Sequence, residues 1–357
     1  MPTACGQARN SESELQAETL TKNQYAEIME RINHVIILFL TLLLASCASD
    51  ERVIPNSSGK SSEILVVIDR QHWDGTIGEG IRDFFGQDMD GLPQPEPLFN
   101  FYTISEPDFS SLFQSHRNIF IASIRPEHTT PYIETKRDLW ARPQRVIKIN
   151  AGSDTSFLRL LNDHKNAFLR LYEQAERERV QRAYRSVSDH SVRSQIVENF
   201  GFSLVIPSGY FVAKKHPDFM WIRRETLEIS QAILIYSFDY KDTTDFNMSN
   251  ILSMRNIFTQ RHVPGTFDGT YMAVAGDFIW PVSQRIDFNG RFAVETRGLW
   301  EVKGDYMGGP FVNYAFVDKS GSRIIVLDGY VYAPRDRKRD LVRQLEAILY
   351  TYEPVGN

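Results

Sequence analysis

Cysteine is almost missing from this chain: its 357 residues contain two, Cys5 and Cys47. With a single cysteine beyond residue 28, that part of the chain closes no internal disulfide and builds no thiolate metal site. Stability has to come from apolar burial, for which 23 Phe, 15 Tyr and 5 Trp supply material. Positive charge is also short. Lys and Arg number 40 against 45 Asp and Glu, a formal charge of −5. No basic stripe breaks that balance, which excludes nucleic acid as the expected partner. Long apolar runs are absent too: Val35 to Ala45 falls well short of the ~20 residues a membrane-spanning helix requires.

Catalytic signatures are equally scarce. The chain has no Gly-x-Ser-x-Gly elbow, no His-Glu-x-x-His helix, no phosphate-binding glycine loop ending in Gly-Lys, and no EF-hand loop. Its histidines from His72 to His262 show no metal-ligand spacing, so no metal, cofactor or catalytic residue is assigned. Asp189-His190-Ser191 contains the letters of a triad, but neighbours in sequence cannot face one another as base, orienter and nucleophile. An aspartate or serine there is expected to cap a helix.

What is present near the start is an address. Met29 to His34 is short and polar, Val35 to Leu44 is apolar, and Ala45-Ser46 precede Cys47. Residues 29–46 resemble a bacterial lipoprotein signal peptide, cleaved before a cysteine that then carries acyl chains. In residues 1–31, Glu12, Glu14, Glu18, Glu27 and Glu30 outnumber Arg9, Lys22 and Arg31, the wrong sign for a signal n-region. Translation is therefore expected to start at Met29, with residues 1–28 a miscalled or disordered extension. Residues 47–62 are expected to be the lipidated Cys47 and a flexible Ser- and Gly-rich tether. At ~0.8 kcal/mol per buried CH₂, two or three acyl chains anchor stably. The expected location is the outer membrane, on its periplasmic or cell-surface face.

The rest reads as α+β: two α/β sandwich-like halves joined by a long helix, the C-terminal half a mostly antiparallel sheet with helices packed on it. Residues 63–152 form the first half, opening on the apolar run Ile64 to Ile68, which suits a strand buried on both faces. Residues 153–199 form a helical connector. The second part of its long helix, Glu173 to Arg185, is expected to be solvated and laced with pairs such as Glu173 with Arg177 and Glu178 with Arg182. Residues 200–357 hold about seven strands, a helix from Asn247 to His262, a hairpin turning at Asn289-Gly290, and a last helix opened by Pro334.

Several stretches carry a family resemblance: Leu204-Val-Ile-Pro-Ser-Gly-Tyr210, Ile233-Leu-Ile-Tyr-Ser237, Arg297-Gly-Leu-Trp300, Met307-Gly-Gly-Pro-Phe-Val312 and Gly329-Tyr-Val-Tyr-Ala-Pro334. Over residues 60–353 the chain resembles an uncharacterised lipoprotein family of Bacteroidetes, domain of unknown function family 4837. The resemblance implies a cell-envelope lipoprotein and brings no activity, substrate or catalytic residue. In that phylum an acidic run after the lipid cysteine resembles a surface-export signal, which Ser49-Asp50-Glu51 matches in part.

Residues 296–311 hold the best candidate for ligand binding. Arg297 offers donors, Trp300 and Tyr306 offer stacking surfaces, and Gly308-Gly309 lets a ligand approach the backbone. Tyr210 and Trp221 are candidate neighbours. The ordinary alternative is a buried Trp followed by a glycine turn. The expected function is a non-catalytic binding or accessory module acting on an envelope protein or glycan. An envelope-polymer hydrolase using carboxylates such as Glu295 with Glu301, or Asp239 with Asp242, is the first alternative. A structural subunit of an outer-membrane complex is the second.

Overall fold

A five-stranded sheet comes first: β1 (Glu63–Val67), β2 (Asn100–Ile104), β3 (Asn118–Ile124), β4 (Tyr132–Arg137) and β5 (Arg145–Ala151) stand in the order β2-β1-β3-β5-β4. The computed structural model describes residues 29, 31–34, 54–277 and 279–355. The chain divides into two units, Met1–Val53 and Ile54–Asn357. In the first, Met29 and residues 31–34 are helical and exposed; the expected signal peptide beyond them and Cys47 lie outside the described residues. Everything below concerns the second unit. Among the described residues no helix is long and apolar enough to cross a membrane.

Strand β1 pairs in parallel with β2 and β3, and β3 with β5. Such strands are covered on both faces, hence the unbroken apolar run. Ile64 and Val66 enter one core, while Leu65 and Val67 enter a smaller one under Phe109, Phe113 and Trp140. Helices α1 (Arg70–Trp73), α2 (Thr76–Phe85), α3 (Ser111–Gln114) and α4 (Asp154–Arg185) complete this half. Ile77, Ile81 and Phe85 of α2 and Phe157, Leu161, Phe168 and Tyr172 of α4 close the larger core. Ser153 and Ser156 cap α4 reciprocally. Strand β4 has no apolar alternation to reveal it: its lattice is the antiparallel ladder with β5, and Lys136 and Arg137 face outward at the edge.

The second sheet has eight strands: β7 (Phe211–His216), β8 (Phe219–Glu225), β9 (Ser230–Asp239), β10 (Tyr271–Ala275), β11 (Val282–Asp287), β12 (Phe292–Lys303), β13 (Gly308–Val317) and β14 (Arg323–Tyr332). A short pair, β6 (Phe202–Ser203) with β15 (Glu353–Pro354), lies apart. The order is β10-β12-β13-β14-β9-β8-β7, antiparallel throughout, with β11 also pairing β12. Three helices cover it. From α5 (His190–Phe200), Val192, Ile196 and Phe200 enter the core of one face, joined by Val342, Leu345, Ile348 and Leu349 of α7 (Arg339–Leu349). On the other face lies α6 (Met248–His262), through Ile251 and Phe258. The fold is α+β, as its sequence pattern indicated.

Two expectations change. Residues 54–62 are docked: Ser57 N–H donates to the Arg142 carbonyl at 3.1 Å, Ser58 N–H to that of Ser115 at 2.8 Å, and Ser62 is fully buried. Backbone pairing holds what a polar, Ser-rich composition would leave loose. The second part of α4 also differs from a solvated helix. Glu176 is buried and accepts from Asn118 Nδ2 at 2.7 Å and Arg179 Nη1 at 2.5 Å, while Arg177 stacks 3.7 Å over the Tyr350 ring. Glu178 pairs with Arg137. Several polar residues of α4 thus point at neighbours from both halves, and the expected i, i+4 pairs do not form among the described residues. The residues expected to form one connector are shared out, α4 with the first sheet and α5 with the second.

Candidate functional site

Helix α4 runs from the core of the first sheet to the face of α7, so its polar second part becomes one wall of a cleft. Gln181 Nε2 donates to the Ala347 carbonyl at 3.0 Å, and Arg343 Nη1 to Ser62 Oγ at 2.5 Å. Ser62 in turn donates to Asp340 at 2.7 Å. Strands β11, β12 and β13 supply the opposite wall with Gln284, Glu295, Arg297 and Tyr314. The enclosed volume is about 730 Å³, within the ~300–1,000 Å³ range of small-ligand sites.

Charge in this cleft is dense and unequal: eight carboxyl side chains line it against five guanidinium groups, with no lysine. Part of it is locked. Arg297 grips Glu295 through Nε at 2.9 Å and Nη2 at 3.0 Å, and its Nη2 also donates to Glu346. Gln284 Nε2 donates to Glu295 Oε1 at 2.8 Å, and the Tyr314 hydroxyl donates to Glu346 at 3.4 Å. Burial pushes the Glu295 carboxyl up, but Arg297 beside it outweighs burial and leaves it below the usual range. Burial, joined by the charges of Glu346 and Glu295, pushes the Tyr314 phenol well up.

Two groups are not locked. Glu173 on α4 makes no hydrogen bond or ion pair with any described residue. Burial raises its carboxyl pKa, aided by Glu346 and opposed by Arg343, Arg297 and Arg177. Arg343 on α7 is 9% exposed and lies 4.6 Å over the Phe99 ring, and its Nη2 has no hydrogen-bond partner. A buried donor left unpaired carries a desolvation penalty that a ligand acceptor relieves. The cleft thus offers an acceptor for a cation and a donor for an oxygen.

The residues singled out in the sequence are not brought together. Arg297 and Trp300 stand three apart on β12, so the two-residue period turns them to opposite faces. Arg297 faces the cleft; Trp300 enters the core under α6, its Nε1 donating to the Val331 carbonyl at 3.2 Å. Trp221 lies in that same core, donating to the Tyr330 hydroxyl at 3.0 Å. Tyr210 is buried in the core under α5 and α7. Tyr306 is fully exposed in the β12–β13 turn. Gly308 and Gly309 serve the chain itself: a Cβ on Gly309 would lie 2.1 Å from the Val331 carbonyl oxygen, and one on Gly308 2.8 Å from that of Trp300.

Carboxylate pairs read from the sequence separate likewise. Glu295 lies in the cleft, while Glu301, six residues on and ~20 Å along the strand, pairs with Lys303. Asp239 and Asp242 are exposed, and Asp242 caps a short 3₁₀ turn. Asp189 accepts from the N–H groups of Ser191 and Val192 at 2.8 and 3.1 Å, the capping role expected of it. Glu173 and Arg343 had no local signal in the sequence. Each sits among alternating charges on a helix, and only the packing of α4 against α7 sets them apart.

Two family models match the chain. Residues 57–185 match a domain of unknown function (DUF8532), and residues 189–351 match a second domain of unknown function (DUF4837). The break between them falls at the junction of α4 and α5. No curated protein matches the chain. The part of the chain that carries the second sheet, residues 189–351, thus matches the DUF4837 family model.

Proposed function

We propose that this chain is a cell-envelope lipoprotein, anchored through acyl chains on Cys47, that binds a small polar envelope component in the cleft between α4 and α7. The observation that carries the binding role is the pair of unengaged groups, Glu173 and the Nη2 of Arg343, in a cleft richer in carboxylates than in guanidinium groups. A ligand bearing an amine and an oxygen acceptor meets both needs. Components that carry both, such as peptide-bearing glycan fragments, fit this chemistry better than neutral sugars or nucleic acid. The anchoring role rests on the order of residues 29–47.

Calorimetric titration of the full chain with soluble peptidoglycan fragments tests the reading, with maltotetraose as a neutral glycan. Binding of the fragments, weakened about tenfold or more by Glu173→Gln or Arg343→Met, is the expected outcome, since each removes one charged hydrogen bond of ~1.5–3 kcal/mol. Parental affinity in both variants, or no binding of the fragments, overturns it. Labelling of cells with a palmitate analogue checks the anchor: Cys47→Ser should abolish the label.

One observation favours a hydrolase as the second reading: Glu173 and Glu295 have carboxyls moved in opposite directions, the pattern of an acid beside a base. Against it, both oxygens of Glu295 are already held by Arg297 and Gln284, leaving little freedom to attack or to activate water. The binding role is the better supported.

A further inference from the structure

On the far side of the second sheet, away from the cleft, three side chains with metal-ligating atoms meet. His216 ends β7, Asp218 follows it across the tight turn into β8, and His262 is the last residue of α6. One ligand atom from each lies within 4.8 Å of the other two. His216 is exposed, Asp218 is half-buried, and His262 is 4% exposed.

His262 carries a second, independent observation. Neither of its ring nitrogens has a hydrogen-bond partner, although both are buried. An imidazole must present one donor and one acceptor, and a native interior seldom leaves both unmet. The ring stacks on Phe219 at 4.4 Å and 15° and on Phe258 at 6.4 Å, with His216 tilted against it at 5.1 Å. Phe219 is itself fully buried in the core under α6, so the imidazole is fixed in orientation with its nitrogens unspent.

We propose that His216, Asp218 and His262 form a site for one divalent transition-metal ion of the zinc type, with a fourth position open to water or an outside ligand. Two imidazoles and a carboxylate are a donor set that suits zinc and its neighbours rather than calcium or magnesium. Ligands ~2.0–2.2 Å from a tetrahedral ion stand roughly 3.3–3.6 Å apart. His216 and Asp218 already touch through Nδ1 and Oδ1, so closing the remaining distance asks for rotation of the exposed His216 and half-buried Asp218 side chains toward His262.

In such a site each imidazole coordinates through an unprotonated ring nitrogen, so metal binding competes with protons. Lys214 opposes a second cation; its ammonium is drawn aside by the His262 carbonyl oxygen at 3.3 Å.

Titration of the metal-stripped full chain with Zn²⁺, followed by calorimetry, and with Co²⁺, followed by visible absorption, decides the matter. One equivalent is expected to bind with a dissociation constant below about 10 µM, raising the unfolding temperature as mass action requires. His216→Ala is expected to weaken it about tenfold or more and to remove the cobalt bands. That residue is exposed, so the variant keeps its fold even if His262→Gln does not. Absence of saturable binding up to about 100 µM ion, or unchanged affinity in both His216→Ala and Asp218→Asn, overturns the proposal.

Discussion

Glu96 caps α7, whose N-cap residue is Lys338. Its two carboxylate oxygens accept from the backbone N–H groups of Lys338 at 2.7 Å and Arg339 at 3.1 Å, and the carboxylate is buried. A helix N-terminus carries unpaired N–H groups and a partial positive charge, so an acidic side chain there satisfies both. Here the cap comes from the loop between α2 and β2 of the first half, where Pro93, Pro95 and Pro97 alternate, and Arg339 returns a bond to the Pro97 carbonyl at 2.6 Å. This contact positions α7, and with it Arg343, against the wall of the cleft.

Removing that cap should therefore loosen both halves. Glu96→Ala is expected to cost about 1–2 kcal/mol of unfolding free energy, read by urea denaturation, and to weaken any ligand that contacts Arg343. Glu96→Gln keeps one acceptor and should cost less. A variant as stable as the parent would show that water caps α7 equally well.

How much of this was legible in sequence depends on the range of the interaction. The Asn289-Gly290 turn was, because its signal is local: both residues take positive φ, 55° and 80°, as the hairpin demands. So was the buried run of β1. The start of α7 was not. Pro334 suggested an opening there, yet the helix begins at Arg339, because Glu96 supplies the capping oxygens and nothing near Pro334 does. The same holds for the candidate sites. Arg297, singled out in the sequence, does line the cleft, but Glu173 and Arg343 come to share it only once α4 crosses α7. His216 and Asp218 were not picked out by spacing, and His262, at the end of a helix far along the chain, gave no hint of joining them.

A buried ion pair links α6 to the middle of the second sheet. Arg255 Nε donates to Asp328 Oδ2 at 2.9 Å, both side chains are fully buried, and the guanidinium lies 4.0 Å over the Phe311 ring. Burial raises the Asp328 carboxyl pKa and Arg255 opposes it. Asp328→Asn strands a guanidinium in an apolar core and is expected to cost about 3–5 kcal/mol. The double replacement Arg255→Met with Asp328→Leu should recover most of that loss, because a well-packed apolar pair avoids the desolvation of both ions. Chemical denaturation of the single and double variants measures it; a double variant less stable than the single one would mean the pair contributes more than its desolvation costs.

Glu173 sets a pH dependence with a definite sign. Its folded pKa lies above the ordinary value of 4.5, chiefly through burial, so the folded protein holds this proton to higher pH than the unfolded chain does. Stability from this residue is full below the ordinary value and is lost as pH rises through the raised one. Glu173→Gln cannot ionise and lacks that loss. The variant should therefore gain on the parent in thermal unfolding as pH rises above the ordinary value, with the gap opening until the raised one is passed. A cationic ligand group reverses the balance, since it favours the ionised carboxylate. Binding of an amine-bearing fragment should thus release a proton in the pH range where free Glu173 is still protonated, measurable as a buffer-dependent heat of binding. A gap that stays constant with pH, together with a buffer-independent heat, would mean that Glu173 titrates normally and is not the cleft's cation acceptor.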